Sequence, residues 1–82
     1  MKLTIISAEK VVTEEIAWLE ANTIQGNFVI QAEHEPTTFL LVPGKEFIFR
    51  LKTGKQKIWL LEQGAILDVT RTTAQLLLPL SA

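Results

Sequence analysis

Apolar side chains along this 82-residue chain fall in short runs that glycine, proline and polar clusters interrupt. The interruptions come roughly every 8–12 residues, the spacing of an all-β sandwich or barrel. Leu3 to Ser7 reads as a first strand, broken at Ser7-Ala8-Glu9-Lys10. Phe28 to Ile30 and Phe39 to Val42 read as two more, the second closed by Pro43-Gly44. Glu46 to Lys52 and Lys55 to Glu62 flank Thr53-Gly54 as a β-hairpin with a tight glycine turn. With Thr53 and Gly54 as its two central residues, Phe49 faces Ile58 and Phe47 faces Leu60 on one side, while Ile48 meets Trp59 on the other. The same register sets Arg50 opposite Lys57, a mildly unfavourable pair. Gln63-Gly64 leads into Ile66 to Thr70, and Arg71-Thr72-Thr73 into Ala74 to Leu80. Pro79 near the end of that last run predicts an edge position or an early stop.

One stretch carries two patterns. Thr13 to Ala21 holds good helix formers with an N-cap residue at Thr13, yet Ile16 and Trp18 alternate and Val11-Val12 lies just upstream. Local signals alone leave a helix and two strands open there. The remaining pattern predicts a core of Leu3, Ile5, Phe28, Ile30, Leu40, Phe47, Phe49, Ile58, Leu60, Ile66 and Leu77.

Length and composition sharpen this picture. The length fits one small domain, residues 1–82, without room for a second. Hydrophobic residues make up 48% and mean hydropathy is +0.25, more apolar surface than so small an interior hides, which predicts a standing patch for a partner. Net charge is −1 with basic residues dispersed, so the chain has no electrostatic footprint for nucleic acid. The absence of cysteine rules out a disulfide framework and a thiolate metal site. Lys2 leads into too few apolar residues for a signal peptide, and no apolar stretch approaches ~20 residues, so a soluble, cytoplasmic chain that does not insert in a membrane is expected.

Reactive chemistry finds little footing. His34, the only histidine, lies between Glu33 and Glu35. Neighbouring side chains in extended backbone point to opposite faces, so the three cannot converge on a metal, and His34 reads as a loop residue held by a local hydrogen bond. The only serines are Ser7 and Ser81, and neither sits in a nucleophile-elbow context. Glu14 and Glu15 diverge as strand neighbours. The four glycines, Gly26, Gly44, Gly54 and Gly64, form no phosphate-binding loop and read as turns. Trp18 and Trp59 read as core or interface anchors. No catalytic residue, cofactor or metal is expected.

Four landmarks, in order, carry a family resemblance. Met1 to Lys10 is an apolar strand running into Ser-Ala-Glu; Thr23 to Ile30 is a strand with its entering turn. His34-Glu35-Pro36 then leads through Leu41-Val42-Pro43-Gly44, and Gln63-Gly64-Ala65-Ile66-Leu67-Asp68-Val69 follows. The set resembles the epsilon subunit of F-type ATP synthases and spans nearly the whole chain. Departures are Ala32-Glu33 where the family has Pro-Gly, Val29 for a second glycine, Asn27 for an acidic residue, and Gly64-Ala65 for a double glycine. The resemblance implies a flattened β-sandwich of about nine or ten short strands, with the Val11–Ala21 region as two strands. No helix-length segment follows Pro79, so the C-terminal helical hairpin of many epsilon subunits, and inhibition by its insertion, are not expected.

The resemblance also implies a function: a non-catalytic central-stalk rotor subunit that clamps the gamma subunit to the membrane c-ring and helps couple ion translocation to ATP synthesis. Its place would be peripheral, on the cytoplasmic face of the energy-coupling membrane. Contacts with gamma and with the polar loops of the c-ring are expected at Asn27, Phe28, Glu33, His34, Glu35 and Pro36, and with gamma at Ser7 and Ala8. The alternative is a stand-alone β-sandwich module that binds a peptide or carbohydrate through Trp18 or Trp59.

Overall fold

Buried and outward side chains alternate along β1 (Lys2–Ile6), where Leu3 and Ile5 point inward and Lys2 and Thr4 outward. The computed structural model describes residues 1–79 and forms them into eight strands with no helix. The others are β2 (Val11–Thr23), β3 (Gly26–Ile30), β4 (Thr37–Leu41), β5 (Lys45–Leu51), β6 (Gln56–Leu61), β7 (Ala65–Val69) and β8 (Thr73–Leu77). The expected all-β class holds. The segment expected as two strands is one, the 13-residue β2, with a register irregularity between Ile16 and Trp18. An extra residue at such a point increases local twist and bends the strand, so one continuous strand serves two layers.

The first residues of β2, Val11 to Glu15, pair with β1, and its last, Leu19 to Thr23, pair with β3. Strands β1, β8, β7 and β4 follow one another in the first layer, and β5 and β6 extend the second from the far side of β2. The Thr23–Leu41 pairing joins β4 back to β2. The sheet thus folds over on itself into a body of 33 × 28 × 20 Å, thick enough for two layers about 10 Å apart. Between them lie Leu3, Ile5, Ile16, Leu19, Ile30, Phe47, Phe49, Leu67, Val69 and Leu76, all essentially excluded from solvent.

The β5–β6 hairpin departs from the expected register by one residue. Leu51 N–H donates to Lys55 C=O and Gly54 N–H to Leu51 C=O, so the loop has three residues, not two. Gly54 sits at φ +101°, the positive-φ site that a three-residue hairpin loop requires. The pairs are therefore Phe47–Trp59, Ile48–Ile58, Phe49–Lys57 and Arg50–Gln56. A slip of one turns every β6 side chain over. Trp59 and Leu61 face the core, while Ile58 and Leu60, expected inside, are 54% and 60% exposed. The expected Arg50–Lys57 repulsion does not arise; Lys57 Nζ lies 3.7 Å from Glu14 of β2.

Three more expected core positions are phased outward: Leu40 at 62% exposure, Ile66 at 42% and Leu77, half-buried. Their neighbours Phe39, Leu41, Leu67 and Leu76 take the inner positions. Phe28 is half-buried at the core margin. The last strand stops at Leu77, two residues before Pro79, and is no edge: β8 lies between β1 and β7. The strand expected to run to Leu80 thus leaves out Leu78 and Pro79, and Leu80 lies outside the described residues.

Candidate functional site

Because β4, β7 and β8 each hold adjacent apolar residues, burying one face leaves apolar side chains on the other. Their registers line these up. Leu40 pairs with Ile66, Ile66 with Leu77, Leu77 with Ile6 across the parallel β1–β8 ladder, and Ile6 with Val11. The result is an unbroken apolar row across five strands of the first layer, with Leu40 and Val11 at its ends, 62% and 63% exposed. Two residues along the strands, Thr38, Asp68, Gln75, Thr4 and Thr13 form a parallel polar row in which Thr38 Oγ1 donates to Asp68 Oδ1 at 3.1 Å.

Two hollows flank Leu40. One, of about 350 Å³, is lined by Leu40, Leu41, Gln63, Ala65, Ile66, Leu77, Leu78 and Pro79. The other, of about 220 Å³, lies between β4 and the β2–β3 turn and is lined by Thr23, Ile24, Gln25, Thr37, Thr38, Phe39 and Leu40. Ile24 is 82% exposed there. The second layer's outer surface also carries apolar groups, but charge interrupts them: Val29 lies opposite Glu20 and Leu60 opposite Glu46. Among the described residues the uncharged row lies on the first layer, and it is the surface's candidate for an interaction patch.

The residues expected from sequence to make contacts lie in three places. Ser7 and Ala8 form the β1–β2 turn, next to Ile6 and Val11 at one end of the row. There Ser7 Oγ donates to Lys10 C=O at 3.1 Å and accepts from Lys10 N–H at 3.2 Å. Asn27 sits exposed on β3, its Nδ2 donating to Glu20 Oε2 and Asn22 Oδ1. Glu33 to Pro36 make the β3–β4 loop. Glu33, at φ +69°, anchors that loop by donating its N–H to Arg71 C=O at 2.7 Å.

His34 is half-buried, its ring 6.0 Å from that of Phe39, and Phe28 meets the same Phe39 ring at 5.3 Å. Phe28 and His34 are thus brought together, with Phe39 between them. His34 Nδ1 lies 2.7 Å from Glu35 C=O; a carbonyl only accepts, so Nδ1 carries the proton. This is the local hydrogen bond expected for a loop histidine. Glu35 and Pro36 are exposed, and Asn27, Ser7 and Ala8 join neither this cluster nor one another.

The row itself was missed in the sequence. Its signal was present as doublets and triplets of apolar residues, Phe39-Leu40-Leu41, Ile66-Leu67 and Leu76-Leu77-Leu78, which promise that both faces are apolar. Among the described residues no polar or charged side chain is buried, and no group of three His, Asp or Glu could hold a metal. Trp59 packs edge-on to Phe49 at 6.2 Å, on the core side of β6.

The two-layer β scaffold presents an uncharged apolar row at one end of its first-layer strands and the Glu33–Pro36 loop at the other. Residues 1–78 match the family model described as the ATP synthase delta/epsilon chain β-sandwich domain, and the chain belongs to that family. The fold is similar to a chain in the Euglena gracilis mitochondrial ATP synthase OSCP/F1/c-ring structure, with a TM-score of 0.81 and 22% identity. A chain of the Tetrahymena thermophila mitochondrial ATP synthase central stalk/c-ring structure is also similar, with a TM-score of 0.71 and 16% identity. The matches cover 92% and 94% of this chain but 48% and 61% of those chains, so it spans about half the length of the first and under two thirds of the second. No curated protein sequence matches the chain.

Proposed function

We propose that this domain works as a non-catalytic rotor part of an F-type ATP synthase, seating the gamma subunit on one side and the c-ring on the other. The observation that carries the reading is the Leu40–Ile66–Leu77–Ile6–Val11 row, joined to membership of the delta/epsilon family. Gamma would cover the row, with Ser7 and Ala8 at its margin. The loop holding Glu33, His34, Glu35 and Pro36 lies beyond Thr37, about 10 Å from Leu40 at ~3.3 Å per residue. It would rest on the polar loops of the c-ring, with Asn27 and Phe28 as further contacts.

Such a part transmits torque through shape. It needs a core that does not yield and surfaces that fit, and a close-packed two-layer sandwich supplies stiffness. The domain would sit peripherally, on the cytoplasmic face of the energy-coupling membrane. The structural relatives fit this reading, since one belongs to an ATP synthase OSCP/F1/c-ring structure and the other to a central stalk/c-ring structure. Co-expression with the gamma subunit of the same organism tests it: a one-to-one complex that survives size exclusion at low salt is expected. Two folded partners eluting separately would contradict it.

A further inference from the structure

Five described residues stand at positive φ, and four of them are glycine: Gly26, Gly44, Gly54 and Gly64. The fifth is Glu33, at φ +69°. That region is strained for a residue with a Cβ, and the side chains that enter it most readily are Asn, Asp and His, not Glu. The surroundings hold the conformation in place. Glu33 N–H donates to Arg71 C=O at 2.7 Å, and the β7–β8 turn that offers this carbonyl is itself closed by Thr70 N–H on Thr73 C=O at 2.8 Å and Thr73 N–H on Thr70 Oγ1 at 3.0 Å. Further along the loop, His34 Nδ1 and Thr37 Oγ1 both donate to Glu35 C=O, at 2.7 and 3.0 Å. None of these bonds uses the Glu33 side chain, so glycine at position 33 would keep them all and shed the strain. What glutamate adds is its side chain alone. That side chain is exposed and makes no ion pair among the described residues.

We infer that Glu33 is a specificity-determining residue of the loop end, its carboxylate pairing with a lysine or arginine side chain of the surface on which the Glu33–Pro36 loop rests. The inference rests on the proposed seating of that loop on the c-ring, and it places the cation there. Backbone strain gathers where a surface is used, and strain that no contact inside the chain compensates points to a contact outside it. An ionised carboxylate only accepts hydrogen bonds, so its strong complement is an ammonium or guanidinium group. The tie to Arg71 fixes the direction in which the side chain leaves the loop, and little backbone freedom is then lost on docking. Glu35, equally exposed, has ordinary φ and carries no such signal. A charge at the rim of an interface acts chiefly on partner choice, association rate and salt dependence. The device thus trades a little stability for recognition at the loop end, and it leaves the Leu40–Val11 row untouched.

Two readouts on the whole chain test this: thermal melting, and binding to the detergent-solubilised c-ring of the same organism at low and high salt. Glu33→Gly is expected to melt a few degrees above the unaltered chain, whereas Ala32→Gly, one residue earlier at ordinary φ, should melt a few degrees below it. Glu33→Gln keeps the strain and should melt with the unaltered chain. Both Glu33 variants should bind the ring about threefold to fivefold more weakly at low salt, and the difference should close at high salt as ions screen the pair. Stability and binding therefore move in opposite directions in Glu33→Gly, which a merely structural role would not produce. A Glu33→Gly chain no more stable than the unaltered one would overturn the inference. Ring binding that Glu33→Gln leaves intact would overturn the inference alone, whereas an unaltered chain that does not bind the ring would overturn the proposed seating and the inference with it.

Discussion

Replacing Gly64 by alanine asks how tightly the chain is held where it enters β7 and the apolar row. Gly64 and Gly44 have nearly the same positive φ, +76° and +80°, so an added Cβ meets a similar intrinsic penalty at both. That penalty is roughly 1–2 kcal/mol, partly offset by ~0.4–1 kcal/mol from the stiffer unfolded chain. Their surroundings differ. A Cβ on Gly44 meets nothing within 4 Å, whereas one on Gly64 falls 2.5 Å from the Leu41 carbonyl oxygen and 3.4 Å from Pro43. That carbonyl cannot swing aside, because Leu41 is paired on one side with Ala65 and on the other with Thr23.

Overpacking of this kind costs ~1–3 kcal/mol. Gly44→Ala should therefore lose about 1 kcal/mol and Gly64→Ala about 3 kcal/mol. A domain of this size loses roughly 4–8 °C of Tm per kcal/mol, so thermal melts of the two variants should differ by about 8–16 °C. Against a total margin of ~4–12 kcal/mol, Gly64→Ala removes a large share. Equal drops in the two melts would refute the argument that the Leu41 carbonyl, and not φ alone, demands glycine at position 64.

The hairpin register gives a second test. Phe49→Ala empties a position that is 1% exposed and should cost ~3–5 kcal/mol in denaturant unfolding, whereas Ile58→Ala, at 54% exposure, should cost within about 0.5 kcal/mol; a large loss at Ile58 would show the β6 faces to be reversed. His34→Ala gives up one loop hydrogen bond and a contact with Phe39, so about 1 kcal/mol is expected, and a melting point lowered by tens of degrees would contradict the loop placement.

The all-β class, the positions of the turns and about half of the core were legible in the sequence because alternation and glycine punctuation act locally. Leu3, Ile5, Ile30, Phe47 and Phe49 face the core as expected. The misplaced residues share one cause. Where two or three apolar residues stand together, as in Phe39-Leu40-Leu41 or Ile58-Trp59-Leu60-Leu61, period alone does not say which faces inward. The decision rests on registers fixed elsewhere: the loop at Gly54 for β6, and pairing with β7 and β2 for β4. The conformation of β2 is likewise non-local: pairing with β1, β3 and β5 holds a segment of helical composition as the strand that joins both layers. The loop histidine was readable from its motif. The apolar row was not, because its five members come from strands whose adjacency only the fold decides.

The most direct measurement of the central claim compares the affinity for gamma of two variants that each place a carboxylate on an exposed apolar position, one per layer. Ile66→Asp interrupts the middle of the row and should weaken binding by ~2–3 kcal/mol, at least about 30-fold, as expected for a buried interface centre. Ile58→Asp, on the other layer, should bind within about threefold of the unaltered domain. Equal weakening by both, or loss with Ile58→Asp alone, would contradict the assignment of the row as the docking face.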